Sequence, residues 1–156
     1  MKADIKKIYL AADHAGFSLK EELKIYLEGL GFVVEDVGNS VLDENDDYPD
    51  IVGKAAKAVA GNFESRGIVI GGSGQGEAIV ANKIPGIRAA VLYDEYSAKM
   101  SRQDNDANVA SLGARTIDSN RAKELVKIWL VTPFSGEERH QRRIEKIEKL
   151  QTTNHK

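Results

Sequence analysis

Short β-branched apolar runs alternate with longer amphipathic stretches from one end of the chain to the other. The runs at 8–12, 33–36, 67–70, 88–93 and 109–112 are predicted strands, bounded by polar and glycine-containing connections. Between the first two, "GFSLKEELKIYLEGLG" puts Phe17, Leu19, Leu23, Tyr26, Leu27 and Leu30 on one helical stripe, with Gly31 as its C-cap. "YPDIVGKAAKAVAGN" is a second helix, with Pro49 near its start and Gly61 near its end. A helix follows the glycine-rich stretch at 71–76, another is capped by Asp118 or Ser119, and "GEERHQRRIEKIEKL" forms the last, with Ile144, Ile147 and Leu150 expected to dock on the core.

Strands alternating with helices predict an α/β fold: a single Rossmann-like domain over residues 1–150, with a five-stranded parallel sheet and helices on both faces. "QTTNHK", residues 151–156, is expected to be a frayed tail. In such sheets ligands gather beyond the carboxyl ends of the strands. Asp13 and His14 follow the first strand, the glycine loop the third, Tyr93 to Glu95 the fourth, and Gly113 to Arg115 the fifth.

Composition narrows the partner. The chain has 156 residues, enough for one ordinary domain. Its net charge is −2 with the signs intermixed, which excludes the basic footprint of a nucleic-acid binder and leaves a small molecule as the expected ligand. No run approaches the roughly 18 apolar residues of a membrane span. The short apolar stretch near the N-terminus runs into Asp13 and His14, unlike a secretory segment, so a cytoplasmic location is expected. The absence of cysteine excludes disulfides, thiolate metal sites and a cysteine nucleophile.

The most unusual stretch is "GIVIGGSGQGEAIVANK". A dinucleotide fingerprint does not fit, because Glu77 stands at its last glycine position and the loop follows the third strand instead of the first. The Lys-Ser/Thr of a P-loop is missing, and Gln75 occupies the closing glycine of a hydrolase elbow. What remains is an oxyanion cradle: backbone N–H groups that glycine leaves open to close approach, beside one carboxylate. A carboxylate next to preorganised donors suits removal of a proton from carbon alpha to a carbonyl, with the donors holding the enediolate. Alternatively, Glu77 only complements the helix dipole in the first turn.

Other polar clusters carry two meanings each. Asp13 either caps a helix or joins a site, and His14 either joins it or sits on the surface. Asp104, Asn105 and Asp106 are turn formers by type. Arg139 and Arg143 share a helix face, where like charges repel unless an anion such as phosphate lies between them; Arg142 is expected to pair with Glu138. "LDENDDYPD" fails as a calcium loop, with Tyr48 at the glycine position and Lys54 at the glutamate position, and is expected to be a surface loop. His140 and His155 have no spaced metal-ligand partners, so no metal is expected.

Taken in order, "DHAGFSLKEEL", "DYPD", "GGSGQGEAIVANKIPGIRAA", "SRQDNDANVASLGAR" and "ERHQRRI" resemble the type B ribose-5-phosphate isomerase family, which includes galactose-6-phosphate isomerase subunits. The resemblance implies aldose–ketose isomerisation of a sugar phosphate without metal or cofactor. It also implies a homodimer or homotetramer whose site is shared between subunits. Many members carry a cysteine base where this chain has Gly71; another branch uses the glutamate that corresponds to Glu77.

By the same resemblance, Asp13 and His14 contact the sugar. Gly72, Ser73, Gly74 and Gly76 hold the enediolate, Asn105 binds a hydroxyl, and Arg115, Arg139 and Arg143 take the phosphate. Asp104 stands where the family has a histidine that assists ring opening. An aspartate is ordinarily ionised at neutral pH and donates protons poorly. Unless the surroundings of Asp104 raise that pKa, ring opening falls to Asp13 or His14, or the preferred sugar differs, for example a hexose 6-phosphate. A catalytically silent sugar-phosphate-binding module is the remaining alternative.

Overall fold

A computed structural model describes residues 5–153. Strands β1 (Lys7–Ala12), β2 (Val34–Asp36), β3 (Ser65–Gly71), β4 (Ala89–Val91) and β5 (Val109–Gly113) form one sheet in the order β2-β1-β3-β5-β4. Every pairing is parallel. The helices are α1 (Phe17–Gly29), α2 (Tyr48–Ala60), α3 (Gln75–Ala81), α4 (Glu95–Gln103), α5 (Ser119–Val131) and α6 (Glu138–Thr153), and a single 3-10 turn at His14–Gly16 joins β1 to α1.

Helices cover both faces because the central strands are apolar on both. Ile8, Leu10, Ile68, Ile70 and Leu112 pack against Leu23 and Leu27 of α1, Ala98 of α4, and Leu125 and Trp129 of α5. Ala11, Val69 and Val109 pack against Ile51, Val52, Ala55 and Val59 of α2 and Ala81 of α3. Burial on both sides explains why β3 and β5 show continuous apolar runs instead of alternation.

From β1 the chain winds outward through α1 to β2, then returns to lay β3 on the other side of β1. The winding direction therefore reverses between β1 and β3. Their carboxyl ends stand side by side, and a crevice opens there. Asp13 and the glycine loop enter it from its two walls.

Several expectations need correction. Helix α4 adds to the expected helices; it buries only Ala98, Ser101 and Arg102 and so shows no apolar stripe. Its start is set by Asp94, which accepts from the Ser97 N–H at 2.7 Å and so serves the helix, not the crevice. Helix α6 continues through 151–153, where a frayed tail was expected, and Gln151 Nε2 donates to the Ile87 carbonyl at 2.9 Å; residues 154–156 lie outside the described residues. Of the three α6 residues expected to dock, Ile144 is buried but Ile147 is 39% and Leu150 68% exposed. Those two line an open groove with Ile87 and Arg88. Arg139 pairs with Glu137 at 2.7 Å, whereas Arg142 stays exposed without Glu138 as a partner. No helix among the described residues is long and apolar enough to cross a membrane.

Candidate active site

The crevice is built first from backbone. After Gly71 the chain turns through Gly72, Ser73 and Gly74 into α3, and Gly74 takes a left-handed φ of 78° that glycine tolerates without strain. The carbonyls of the three glycines Gly71, Gly72 and Gly74 are engaged. Ala114 and Arg115 donate their N–H groups to the Gly71 and Gly72 oxygens at 2.8 and 3.0 Å, and Ser111 Oγ donates to the Gly74 oxygen at 2.6 Å. The N–H groups of Gly72, Ser73 and Gly74 donate to no acceptor among the described residues. With the carbonyls of Gly72 and Gly74 held and all three amides open, this turn forms a preorganised anion cradle.

Glu77, in the first turn of α3, folds back over this loop and is 4% exposed. Its carboxylate lies against Gly71, so closely that a Cβ built on that glycine would overlap it. Burial pushes the Glu77 carboxyl above its ordinary value of 4.5; its own backbone N–H pulls the other way, and the charge of Asp13 adds to the rise. Asp13, 7% exposed, faces it from the end of β1. Asp13 Oδ1 accepts from the Ala15 and Gly16 N–H groups at 3.0 and 3.2 Å, so the same side chain caps the 3-10 turn and lines the crevice.

The resulting cleft encloses about 420 Å³ and is lined by Asp13, Tyr48, Ser73, Glu77, Arg115 and Thr116 together with Gly72 and Gly76. That volume suits a small polar ligand. Arg115 has no carboxylate within 4 Å among the described residues, leaving a guanidinium open for an anion. The larger groove between β4 and α6, about 630 Å³, has no buried acid beside open amides and offers no comparable chemistry.

Tyr48, Asp46 and Thr116, which lines the cleft after β5, escape the sequence reading. Tyr48 enters the cleft from the first turn of α2. Asp46 lies in the acidic stretch expected to be a surface loop, yet its side chain is 7% exposed and its Oδ1 meets His14 Nδ1 at 2.7 Å. Their separation of 32 residues leaves no local signal to connect them.

The remaining predicted site residues lie elsewhere. Asp104 and Asn105 follow α4, before β5 begins, whereas the cleft lies beyond the other end of β5; the five residues of that strand span about 13 Å at roughly 3.3 Å each. Their turn is held rigidly. Asp106 has a φ of 46°, the one positive value at a non-glycine among the described residues, and is clamped by Arg102 at 2.7 Å and Arg88 at 3.3 Å. Buried His140 places Nε2 3.5 Å from Asp104 Oδ1, and Arg139 and Arg143 project from the same helix into solvent. A single chain thus brings Asp13, His14, the glycine loop, Glu77 and Arg115 together, and leaves Asp104, Asn105, Arg139 and Arg143 as a second group.

Known proteins resemble this chain over most of its length. The Ribose/Galactose Isomerase family model matches residues 8–147. Ribose-5-phosphate isomerase B of Escherichia coli is 44% identical over 143 residues, 92% of this chain and 95% of its own. The D-erythrulose-4-phosphate isomerase of Pectobacterium atrosepticum is 42% identical over 83% of this chain and 85% of its own. The structure of Mycoplasma genitalium ribose-5-phosphate isomerase B with bound ribulose-5-phosphate superposes with a TM-score of 0.90 at 37% identity, covering 94% of this chain and 96% of that one. With the family model spanning nearly the whole folded domain and relatives this similar over 85% or more of their own lengths, the chain belongs to the ribose/galactose isomerase family.

Proposed function

We propose that this isomerase interconverts D-ribose 5-phosphate and D-ribulose 5-phosphate through a cis-enediolate, with Glu77 as the base. The observation that carries the reading is a buried carboxylate beside three backbone N–H groups without acceptors among the described residues. Glu77 removes the proton from C2 of the open-chain aldose, and the C–H electrons form the C1=C2 bond while the carbonyl π pair moves onto O1. The N–H groups of the glycine loop stabilise that oxygen as its charge develops. Glu77 then returns the proton to C1, and transfer of the O2 proton to O1 completes the ketose. Its raised pKa suits both halves of the cycle, since a base that is too weak an acid or too strong a one slows one transfer.

The phosphate end requires more positive charge than Arg115 supplies. In this reading a second copy of the chain brings Asp104, Asn105, Arg139 and Arg143 to the mouth of the cleft, completing a site shared across a homodimer. The exposed position of both α6 arginines and the rigid clamp behind Asn105 support it. Remote binding of the phosphate would then hold the sugar against Glu77.

A second reading keeps the chemistry and changes the sugar. Asp104 in place of the expected histidine, and similarity to a relative named for a four-carbon ketose phosphate, favour it. Solvent-deuterium incorporation next to the carbonyl, followed by NMR across tetrose, pentose and hexose phosphates, tests both. Fastest incorporation with the pentose pair is expected; incorporation confined to another chain length would reassign the substrate, and binding without incorporation would indicate a silent module.

A further inference from the structure

The Lys20 side chain leaves α1 fully buried, although an ammonium group is costly to remove from water. Its Nζ meets Asp36 Oδ2 at 2.7 Å and Glu21 Oε1 at 3.4 Å, donates to the Asn39 carbonyl at 2.6 Å, and lies 4.6 Å from the centre of the Phe17 ring. Two carboxylates and a carbonyl thus surround its three N–H bonds. Proton transfer between C1 and C2 makes no use of this ammonium.

What it holds is the connection between β2 and α2. Residues 40–45 of that connection are all exposed, Val41 and Leu42 included, so apolar burial does not fix their course. Polar ties do. Asp36 Oδ1 accepts from the Gly38 N–H at 2.9 Å, where the backbone passes so close to β1 that a Cβ on Gly38 would lie 3.3 Å from Ala11 Cα and the Ala12 nitrogen. Asn39, held through its carbonyl by Lys20, donates from Nδ2 to Asp46 Oδ2 at 3.2 Å. Asp46 Oδ1 accepts from the His14 backbone N–H at 3.1 Å and meets the ring Nδ1 at 2.7 Å. Two residues later Tyr48 lines the cleft, its Cζ and Oη 2.7 Å from where a Cβ on Gly76 would stand.

We propose that Lys20 is a positioning residue for the cleft: its buried ammonium anchors the β2–α2 connection at Asn39, and through Asp46 that anchor holds His14 and Tyr48 in place. The proposal deepens the isomerase reading and rests on it for the identity of the ligand. Without the anchor the connection has to be ordered when substrate binds, which weakens binding. Proton transfer is spared, because the glycine loop and Glu77 are held from β3, β5 and α3 instead.

Two variants of the full chain test this. Lys20→Met keeps a long side chain and removes its charge; Asn39→Ala leaves Lys20 paired with Asp36 and removes only the link to Asp46. Amide hydrogen exchange over 38–47, the NMR signal of His14 Nδ1, and kcat and KM with ribose 5-phosphate are compared with the unmodified protein. In Lys20→Met, exchange over 38–47 speeds up about ten-fold or more while β3 and β5 stay protected, and the Nδ1 signal moves toward that of an unpaired imidazole. KM rises about ten-fold, the scale of one charge-assisted hydrogen bond, and kcat stays within about two-fold. Asn39→Ala moves the Nδ1 signal and KM in the same directions by about three-fold in KM, the scale of a weaker, half-exposed bond.

A lysine that only stabilises the fold would lower Tm and leave KM and the His14 signal unmoved in the folded protein; that result in Lys20→Met would overturn the proposal. So would a loss confined to kcat. Should Lys20→Met not fold, Asn39→Ala decides alone, and an unmoved Nδ1 signal with unchanged KM contradicts the relay. Hydrogen exchange and NMR need no turnover, so failure of the isomerase reading appears separately, as absent turnover by the unmodified protein.

Discussion

The carboxylate of Glu77 fills the space that a side chain on Gly71 would take. Residue 71 ends β3 with its backbone buried, and the tight glycine turn brings the first turn of α3 back over it. A side chain at 71 and the observed position of Glu77 are therefore mutually exclusive. The resemblance that places a cysteine base at position 71 in many family members, and a glutamate at 77 in others, then has a physical reason: both bases would reach the substrate from one volume.

Gly71→Ala tests that exclusion. The new methyl displaces the carboxylate from the cradle, and a shift of about 1 Å in a reacting group costs on the order of 100-fold in rate. We expect kcat to fall by about that factor while KM changes little. A fully active Gly71→Ala enzyme would mean that Glu77 works from a different position.

Stability against pH carries the signature of the raised Glu77 pKa. A carboxyl whose folded pKa lies above its unfolded value favours folding fully at low pH, and that contribution is lost as pH rises through the folded pKa. At pH 8 the unmodified protein thus bears a buried charge that Glu77→Gln lacks. The variant should show the higher Tm at pH 8, with the gap closing as pH falls below the raised pKa. The acid limb of kcat/KM in the unmodified enzyme should lie above 4.5 for the same reason. A Tm lower than that of the unmodified protein at pH 8 would contradict this account.

Mixing variants tests the shared site. Arg143→Ala should raise KM strongly with a smaller change in kcat, because phosphate contacts act at a distance from the reacting carbons. Glu77→Gln should be inactive. If α6 of one copy serves the cleft of the other, subunit exchange between Glu77→Gln and Arg143→Ala proteins yields mixed dimers in which one cleft has both residues altered and the other has neither. Activity at low substrate concentration should then exceed the sum of the separate proteins. Strict additivity after verified exchange would place both residues in one chain's site.

The elements and their order follow from hydrophobic periodicity, and the glycine loop with Glu77 is visible because no competing motif fits its letters. Helix α4 is not visible, since it docks through Ala98, Ser101 and Arg102 and leaves no apolar stripe. The contact of Asp46 with His14 depends on a loop folding back onto residue 14, which leaves no periodic trace. The clamp on Asp106 has the same character: two arginines from separate elements hold a residue whose sequence context shows only a turn. Ile147 and Leu150 keep helical spacing with Ile144, yet periodicity gives a face and not what covers it, and α6 leaves both in an open groove.

The most direct measurement is hydrogen exchange at C1 of ribulose 5-phosphate in deuterated water, with the unmodified protein and Glu77→Gln compared at equal saturation. The ketose is already open-chain, so neither ring opening nor Asp104 enters. The account predicts rapid incorporation by the unmodified protein and a loss of about 100-fold or more in Glu77→Gln, the scale of removing a general base, with the ribulose 5-phosphate Kd nearly unchanged. Undiminished incorporation by Glu77→Gln would show that another group moves the proton.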